Sequence, residues 1–272
     1  MLNSWKDRLE RVLAGSQDSD PIALIMALRE LGLAMGHETG DALLDSHPEL
    51  FAHRPALTEA FRKMVHAQDV AEIEFLMRQN VDGPASFENI APKNTNIGLM
   101  SSNYAYNRLN EVFDRLDLRD CQRVVMVGCG GRPFTMFRFH DQTNSAQIIG
   151  LDIVPEAVET ANMLAAKLGY PRIRAELCDG LDYDYGKAQV VYIANMVSPK
   201  AAIVERVADT ASENVTIVIW DPCSLGRLWA DKAEQALDSR LEITGRTSVS
   251  QTMTQDIIVK RRRPPGADDN LV

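Results

Sequence analysis

Short apolar runs alternate with amphipathic helical stretches from residue 122 onward, and this alternation constrains the fold more than any other feature of the chain. The first run is RVVMVG, and AQIIGLDI, IRAELCD, AQVVYIANM and NVTIVIWD follow it. Helical stretches such as VPEAVETANMLAAKLGY lie between the runs. Strands that alternate with helices are typical of a parallel sheet covered by helices. Two closing runs within RLEITGRTSVSQTMTQDIIVKRR predict an antiparallel pair at one edge of this sheet.

The chain before this region has apolar residues at helical spacing and no strand-like alternation. Asp20-Pro21 is typical of a helix start, and Gly36 is typical of a helix end. Further helices are predicted within WKDRLERVLAG, within PALTEAFRKMVHAQDVAEIEFLMRQNV and within SSNYAYNRLNEVFDRLDL, the last with Ser102 as its candidate cap. The apolar stripe of the PALTEAF helix contains Phe61, Met64, Val65, Ile73, Leu76 and Met77. We therefore predict an all-helical N-terminal domain over 1–118 and an α/β domain over 119–272.

Charge and cysteine usage exclude several classes of partner. A formal net charge of −9 argues against a nucleic-acid groove, because phosphate binding needs a basic surface. The four cysteines are widely spaced and form no CxxC pair, so we expect no disulfide framework, no metal site and a cytoplasmic setting. No run reaches the roughly 18 consecutive apolar residues of a membrane span, so no membrane partner is expected. A homodimer remains open.

The candidate site consists of residues that follow the predicted strands, because ligands of an open parallel sheet bind outside the carboxyl ends of its strands. Each residue alone is weak evidence for a binding site, since glycines also occur in turns and an acid after a strand often caps a helix. The combination is more specific, because Asp152 lies 22 residues beyond Gly130, the spacing at which an acid binds ribose hydroxyls. The predicted cofactor residues at the strand ends are Gly128, Cys129, Gly130, Asp152, Ile153, Asp179, Gly180, Asn195 and Met196.

The turn after the first strand distinguishes between adenosine cofactors. A dinucleotide pyrophosphate needs the third glycine of GxGxxG and a free helix N-terminus, and here Arg132-Pro133-Phe134 occupies that region. S-adenosylmethionine has no phosphate, and Asp179 stands where an acid would accept a hydrogen bond from the adenine amine. We therefore predict S-adenosylmethionine as the cofactor. The chain resembles the Rossmann-like fold of class I S-adenosylmethionine-dependent methyltransferases over about 120–272.

A closer resemblance follows from the helical first domain together with the turn. The chain is similar to the nicotianamine synthase family, which includes bacterial and archaeal enzymes that make nicotianamine-like or opine-type metallophores. The turn of that family runs roughly Gly-x-Gly-Pro-x-Pro-x-Thr, and GCGGRPFT keeps its glycines, Pro133 and Thr135, with Gly131 in place of the first proline. The stretch SNYAYNRLNEVFDRL resembles the tyrosine-rich helix start of the family, with Tyr104 or Tyr106 as the matching tyrosine.

The resemblance implies an unusual use of the cofactor, in which an amine attacks Cγ of the aminocarboxypropyl arm and methylthioadenosine leaves. It also implies a catalytic glutamate on a helix of the first domain, which maps to Glu74 or Glu72, together with Tyr104 beside the cofactor. Glu72 and Glu74 equally fit a solvated helix face, and Tyr104 fits a domain interface. Arg132 fits a clamp for the carboxylate of the methionine moiety or of an acceptor, and it equally fits an ion pair with a protein acid.

Three reactions fit one such pocket. We favour transfer of the aminocarboxypropyl group to an external small-molecule amine or amino acid. The cofactor's own amine could instead attack Cγ and close azetidine-2-carboxylate, or a small acceptor could take the methyl group and leave S-adenosylhomocysteine. A domain that binds the cofactor without turnover, as a sensor or partner subunit, is the non-enzymatic alternative. The missing first proline indicates a sub-branch with its own acceptor.

Overall fold

The N-terminal part of the chain is helical as far as the structure, a computed structural model, describes it. The described residues are 2–15, 20–78, 106–144 and 146–262. Asp20 caps the second helix by accepting a hydrogen bond from the backbone N–H of Ile22 at 3.3 Å, and Gly36 ends that helix at a φ of +79°. The helices are α1 (Leu2–Ala14), α2 (Pro21–Met35), α3 (His37–Ser46) and α4 (Arg54–Met77), with a 3-10 turn at Pro48–His53.

A seven-stranded sheet forms the remainder of the fold, in the order β3-β2-β1-β4-β5-β7-β6. Strands β1 to β5 are parallel, and β7 lies antiparallel between β5 and β6. The strands are β1 (Arg123–Val127), β2 (Gln147–Asp152), β3 (Ile173–Leu177), β4 (Val190–Ile193), β5 (Thr216–Pro222), β6 (Leu241–Arg246) and β7 (Thr254–Arg261). The helices of this part are α5 (Asn110–Phe113), α6 (Phe134–Gln142), α7 (Pro155–Lys167) and α8 (Lys200–Thr210), with 3-10 turns at Ser224–Leu228 and Glu234–Ala236. The predicted fold class, a mostly parallel α/β sheet with an antiparallel edge after a helical N-terminal region, is confirmed.

The apolar cores join the helical region to the sheet. One core fills the space among the N-terminal helices and includes Leu225 and Trp229 from the segment after β5. Trp229 stacks on Phe61 of α4, with ring centroids 5.5 Å apart. The core on one face of the sheet includes Leu76 of α4. Helix α4 therefore packs against both cores, through Phe61 and through Leu76. The domain boundary at 118 remains a prediction.

The helix that the sequence predicts over 101–118 is interrupted within its described part, residues 106–118. Residues 101–105, and with them Ser102 and Tyr104, lie outside the described residues. Residues 106–107 are helical, the chain turns at 108–109, and α5 follows. At the turn the Arg108 side chain enters the core and pairs with Asp256 of β7. This tertiary contact outweighs the helical spacing of the segment. None of the described helices is both long enough and apolar enough to cross a membrane.

Candidate active site

A cavity of 360 Å³ lies at the carboxyl ends of the parallel strands, between the sheet and α4. Residues after β1, β2, β3 and β4 form its floor, Trp220 of β5 and the start of β7 form one side, and α4 covers it. Every predicted cofactor residue in the described part of the chain lines this cavity: Gly128, Cys129, Gly130, Arg132, Asp152, Ile153, Asp179, Gly180, Asn195 and Met196. The residues that follow the strands therefore form one continuous surface, and the role of each residue stays a prediction.

The glycine turn after β1 owes its shape to two positive φ angles. Gly128 has a φ of +75° and Gly130 a φ of +64°, a region of backbone conformation that glycine adopts without strain. The backbone N–H of Gly128 donates to the carbonyl oxygen of Leu151 at 2.8 Å, and that of Gly130 donates to the Asp152 carboxylate at 2.8 Å. The turn is thus held against the end of β2, and its open side faces the cavity.

Asp152 and Ile153 form one half of the cavity. Asp152 accepts a second hydrogen bond, on its other carboxylate oxygen, from the N–H of Val154 at 3.0 Å. A carboxylate has about four lone-pair positions, so about two remain for hydroxyl donors in the cavity. Ile153 is 69% exposed and offers an apolar surface that a flat aromatic base would cover. Across from it, Asp179 accepts from the N–H of Leu181 at 2.9 Å and keeps its second oxygen available.

Among the residues that the structure describes, two buried oxygen atoms in the cavity wall have no hydrogen-bond partner. They are Oδ1 of Asn195, after β4, and Oγ1 of Thr135, at the start of α6. The two side chains are 4% and 1% exposed, and both residues line the cavity. A buried polar group without a partner costs about 1–3 kcal/mol, so these atoms are suited to a ligand that satisfies them. A carbonyl oxygen accepts from an ammonium or amine, and a hydroxyl donates to a carboxylate.

Helix α4 brings charged groups to the cavity opposite the glycine turn. Arg132 extends from the turn to α4, where its Nε lies 2.9 Å from Oδ1 of Asp69 and its guanidinium also contacts the Glu72 carboxylate. Gln68 donates to the other oxygen of Glu72 at 3.0 Å. Arg132 is therefore committed to protein acids, which was one of the two interpretations of the sequence, and α4 and the turn are tied together electrostatically.

The acids that the resemblance selected lie in different places. Glu72 is fully buried behind Arg132. Glu74 is on the solvent face of α4, 62% exposed, and pairs with Arg78 at 3.2 Å, so it does not line the cavity. The predicted role of Tyr104 falls outside the described residues. The acid of α4 that does line the cavity is Asp69, which the sequence reasoning missed. Gln68, Asp69 and Glu72 interrupt the apolar stripe of α4 with polar residues, and that interruption was the available signal.

Comparison with known proteins identifies the family. A family model described as "Methyltransferase domain" matches residues 119–259, which is more than half of the chain. The chain belongs to this methyltransferase-domain family. It is accordingly an S-adenosylmethionine-dependent transferase, with S-adenosylmethionine as the cofactor. No curated protein matches the sequence significantly.

Solved structures extend the likeness of this methyltransferase-domain protein to its helical region. A Glu-to-Gln variant of the nicotianamine synthase MtNAS, in complex with S-adenosylmethionine, is 15% identical, with a TM-score of 0.70 over 95% of this chain and 98% of that chain. MtNAS in complex with MTA and tNA is 14% identical, with a TM-score of 0.66 over 96% and 97% of the two chains. A ribosomal protein methylase from Lactobacillus delbrueckii subsp. bulgaricus covers 60% of this chain and 82% of its own, at 17% identity and a TM-score of 0.50. The fold of the nicotianamine synthase-like proteins thus extends over nearly the whole chain.

The cavity fits the cofactor that the methyltransferase domain implies. Its Asp152 half offers acceptors for two ribose hydroxyls and an apolar surface, Ile153, for the base. Its other half holds the unpartnered oxygens of Asn195 and Thr135, an acceptor for an ammonium group and a donor for a carboxylate. S-adenosylmethionine has the matching groups, with ribose hydroxyls and a base at one end and an ammonium and a carboxylate at the other. When bound, this cofactor supplies a sulfonium that activates the three carbons attached to it.

Removing the Asp152 carboxylate tests whether the ribose of the cofactor binds in this half of the cavity. We expect Asp152→Ala to weaken the binding of S-adenosylmethionine about 10- to 100-fold, since hydrogen bonds to a charged group contribute about 1.5–3 kcal/mol. Asp184→Ala is the matched control, because Asp184 also accepts from a backbone N–H in a turn, that of Gly186 at 2.9 Å, but does not line the cavity. Isothermal titration calorimetry measures both. Equal dissociation constants for the two variants would remove the ribose assignment.

Proposed function

We propose that this transferase directs an amine to Cγ of the aminocarboxypropyl arm of S-adenosylmethionine and releases methylthioadenosine. The observation that carries the proposal is the position of α4, which covers the cavity and brings the Asp69 carboxylate to it. The fold of MtNAS, a nicotianamine synthase, matches this chain through the helical region that supplies this cover. The complex of MtNAS with MTA, methylthioadenosine, supports the same chemistry.

The residues of the chain decide the reaction through position and proton transfer. The carbon that reacts is the one held in line with the nucleophile, so the groups that hold the arm select the product. Asn195 and Thr135 are suited to fix the ammonium and carboxylate of the arm from the floor, while Phe61, Met64 and Val65 of α4 exclude water from above. An attacking amine must be neutral, so an acid in this half of the cavity has to accept its proton.

A second function is favoured by the apolar wall on the β4 and β5 side of the cavity. Val197 after β4 and Trp220 of β5 form this wall, and Met64 and Val65 of α4 add apolar surface above it. A charged amino acid that entered from outside would lose its hydration against this wall, which is costly for an ion without partners. The amine of the cofactor itself needs no such entry. Cyclisation of S-adenosylmethionine to azetidine-2-carboxylate, which also releases methylthioadenosine, is therefore the alternative to an external acceptor.

The nucleoside product separates these functions. The full chain is incubated with S-adenosylmethionine, alone and with single amines or amino acids, and products are identified by mass. We expect more methylthioadenosine when the right amine is added, together with an equal amount of the aminocarboxypropyl adduct of that amine. Methylthioadenosine with azetidine-2-carboxylate and no added amine identifies the cyclase. If S-adenosylhomocysteine is the sole nucleoside, methyl transfer is correct and the Cγ proposal is wrong, and no product under any condition favours a binding module.

A further inference from the structure

Three acids lie in the second half of α4, and they differ in access to the cavity. Asp69 and Glu72 are three positions apart and share a face of the helix, whereas Glu74 points away from it. The Asp69 side chain is 25% exposed and lines the cavity, and that of Glu72 is 0% exposed. Glu74 is bound to Arg78 at the surface. Access to a ligand therefore distinguishes Asp69 from the two glutamates that the sequence favoured.

One guanidinium serves two carboxylates at this point of the structure. Arg132 contacts both Asp69 and Glu72, so the three side chains together carry one net negative charge when both acids are ionised. Burial raises the pKa of Asp69, and although the Arg132 charge lowers it, the Glu72 charge raises it again, so the pKa lies above its usual value. Of the described groups, His66 on the same helix also acts on it, with a small lowering effect. An acid with a raised pKa is a better proton acceptor near neutral pH.

We infer that Asp69 is the group that accepts the proton of the attacking amine, and that Arg132 and Glu72 position it. The inference rests on the proposed transfer at Cγ and names the base for it. The ammonium of the nucleophile transfers one proton to the Asp69 carboxylate and becomes a neutral amine. Its lone pair then forms the bond to Cγ as the Cγ–S bond breaks, and that electron pair stays on sulfur as the neutral thioether of methylthioadenosine. The proton on Asp69 passes to solvent when the product leaves.

Removal of the carboxylate gives the direct test. We expect Asp69→Asn to lower turnover about 100- to 10,000-fold, the usual range for loss of a general base, with the dissociation constant of S-adenosylmethionine nearly unchanged. Glu74→Gln is the matched control on the same helix and should leave turnover unchanged, because its carboxylate is at the surface. Asp69→Glu, which keeps a carboxylate, should recover part of the activity. Thermal unfolding of each variant separates loss of the base from loss of the fold.

The pH profile of turnover provides a readout that a structural role would not change. The base must be ionised, so turnover rises with pH through the pKa of Asp69. Glu72→Gln removes a negative charge that raises this pKa and leaves Arg132 paired with Asp69 alone. Both effects lower the pKa, so the acid limb of the profile should move to lower pH. A limb that stays in place, in a folded variant, contradicts the role of Glu72 as a positioning residue for Asp69.

The two proposals can fail separately. Asp69→Asn with wild-type turnover and methylthioadenosine as the product overturns the base assignment and leaves Cγ transfer intact. S-adenosylhomocysteine from the wild-type protein overturns Cγ transfer, and with it the step written for Asp69. A large loss of methylthioadenosine formation in Asp69→Asn, with cofactor binding retained and Glu74→Gln fully active, supports both.

Discussion

Arg108→Met should lower the free energy of unfolding by about 3–5 kcal/mol, the usual cost of leaving a buried charge without its partner. The Arg108 side chain is buried against the sheet, where its guanidinium pairs with Asp256 of β7 and donates to the hydroxyl of Tyr192 on β4. Its positive charge also lies 3.9 Å from the centre of the Trp220 ring. The side chains of Arg108 and Asp256 are 8% and 3% exposed, so water cannot replace the lost partner.

The interaction of Tyr192 with Asp256 does not compensate for the loss. Burial raises the pKa of Tyr192 well above its usual value, so its hydroxyl keeps its proton and donates to Asp256 at 2.8 Å. A single neutral donor would then face a buried carboxylate. In the variant the Asp256 pKa rises further, and the destabilisation is therefore largest above that pKa. It becomes smaller as pH falls and Asp256 takes a proton in the folded state.

Urea unfolding of the wild type and of single and double variants measures this effect. Arg78→Met is the control, because the Arg78–Glu74 pair is 78% and 62% exposed and such surface pairs contribute about 0–1 kcal/mol. A loss of less than about 1 kcal/mol for Arg108→Met would contradict the buried-pair interpretation. Asp256→Asn combined with Arg108→Met should be less destabilising than the sum of the single changes, because the pair is lost only once.

The alternation of strands and helices was enough to predict the fold, because most strands of the parallel part are apolar runs, and β3 alternates apolar residues with Arg174 and Glu176. The same logic brought Gly128, Asp152, Asp179 and Asn195 to one cavity, since parallel strands present their carboxyl ends on one edge of the sheet. Neither step needed knowledge of a long-range side-chain contact.

The contacts of the site could not be predicted in the same way. Arg132 meets Glu72 across 60 residues of sequence, and Arg108 meets Asp256 across 148. No local pattern specifies such pairs. On α4 the resemblance selected glutamates, and it gave no weight to Asp69, whose position within the apolar stripe is what brings it to the cavity. The helix predicted over 101–118 is interrupted in its described part for a related reason, because Arg108 contacts the sheet at the turn between the two helical pieces.

Gly128→Ala should be the more damaging of two matched changes in the glycine turn. Gly128 and Gly130 both have positive φ, so alanine at either position costs about 1–2 kcal/mol in backbone strain. At Gly128 an added Cβ would also lie 2.5 Å from Cγ2 of Val197, in the cavity wall, whereas at Gly130 it meets nothing within 4 Å. Valine is stiff about χ1 and cannot turn away easily, so this contact adds about 1–3 kcal/mol of overpacking.

The stability difference between the two variants isolates the contact. In urea unfolding, we expect the free energy of unfolding of Gly128→Ala to be about 1–3 kcal/mol lower than that of Gly130→Ala, because only the alanine at 128 contacts Val197 too closely. Val197→Ala removes the opposing Cγ2. Combined with Gly128→Ala, it should recover the stability that is lost to overpacking, while the backbone strain remains. Equal stability of the two glycine variants would mean that the turn adjusts freely against β4. The close packing of Gly128 on Val197 would then not fix the floor on which the methionine arm is proposed to lie.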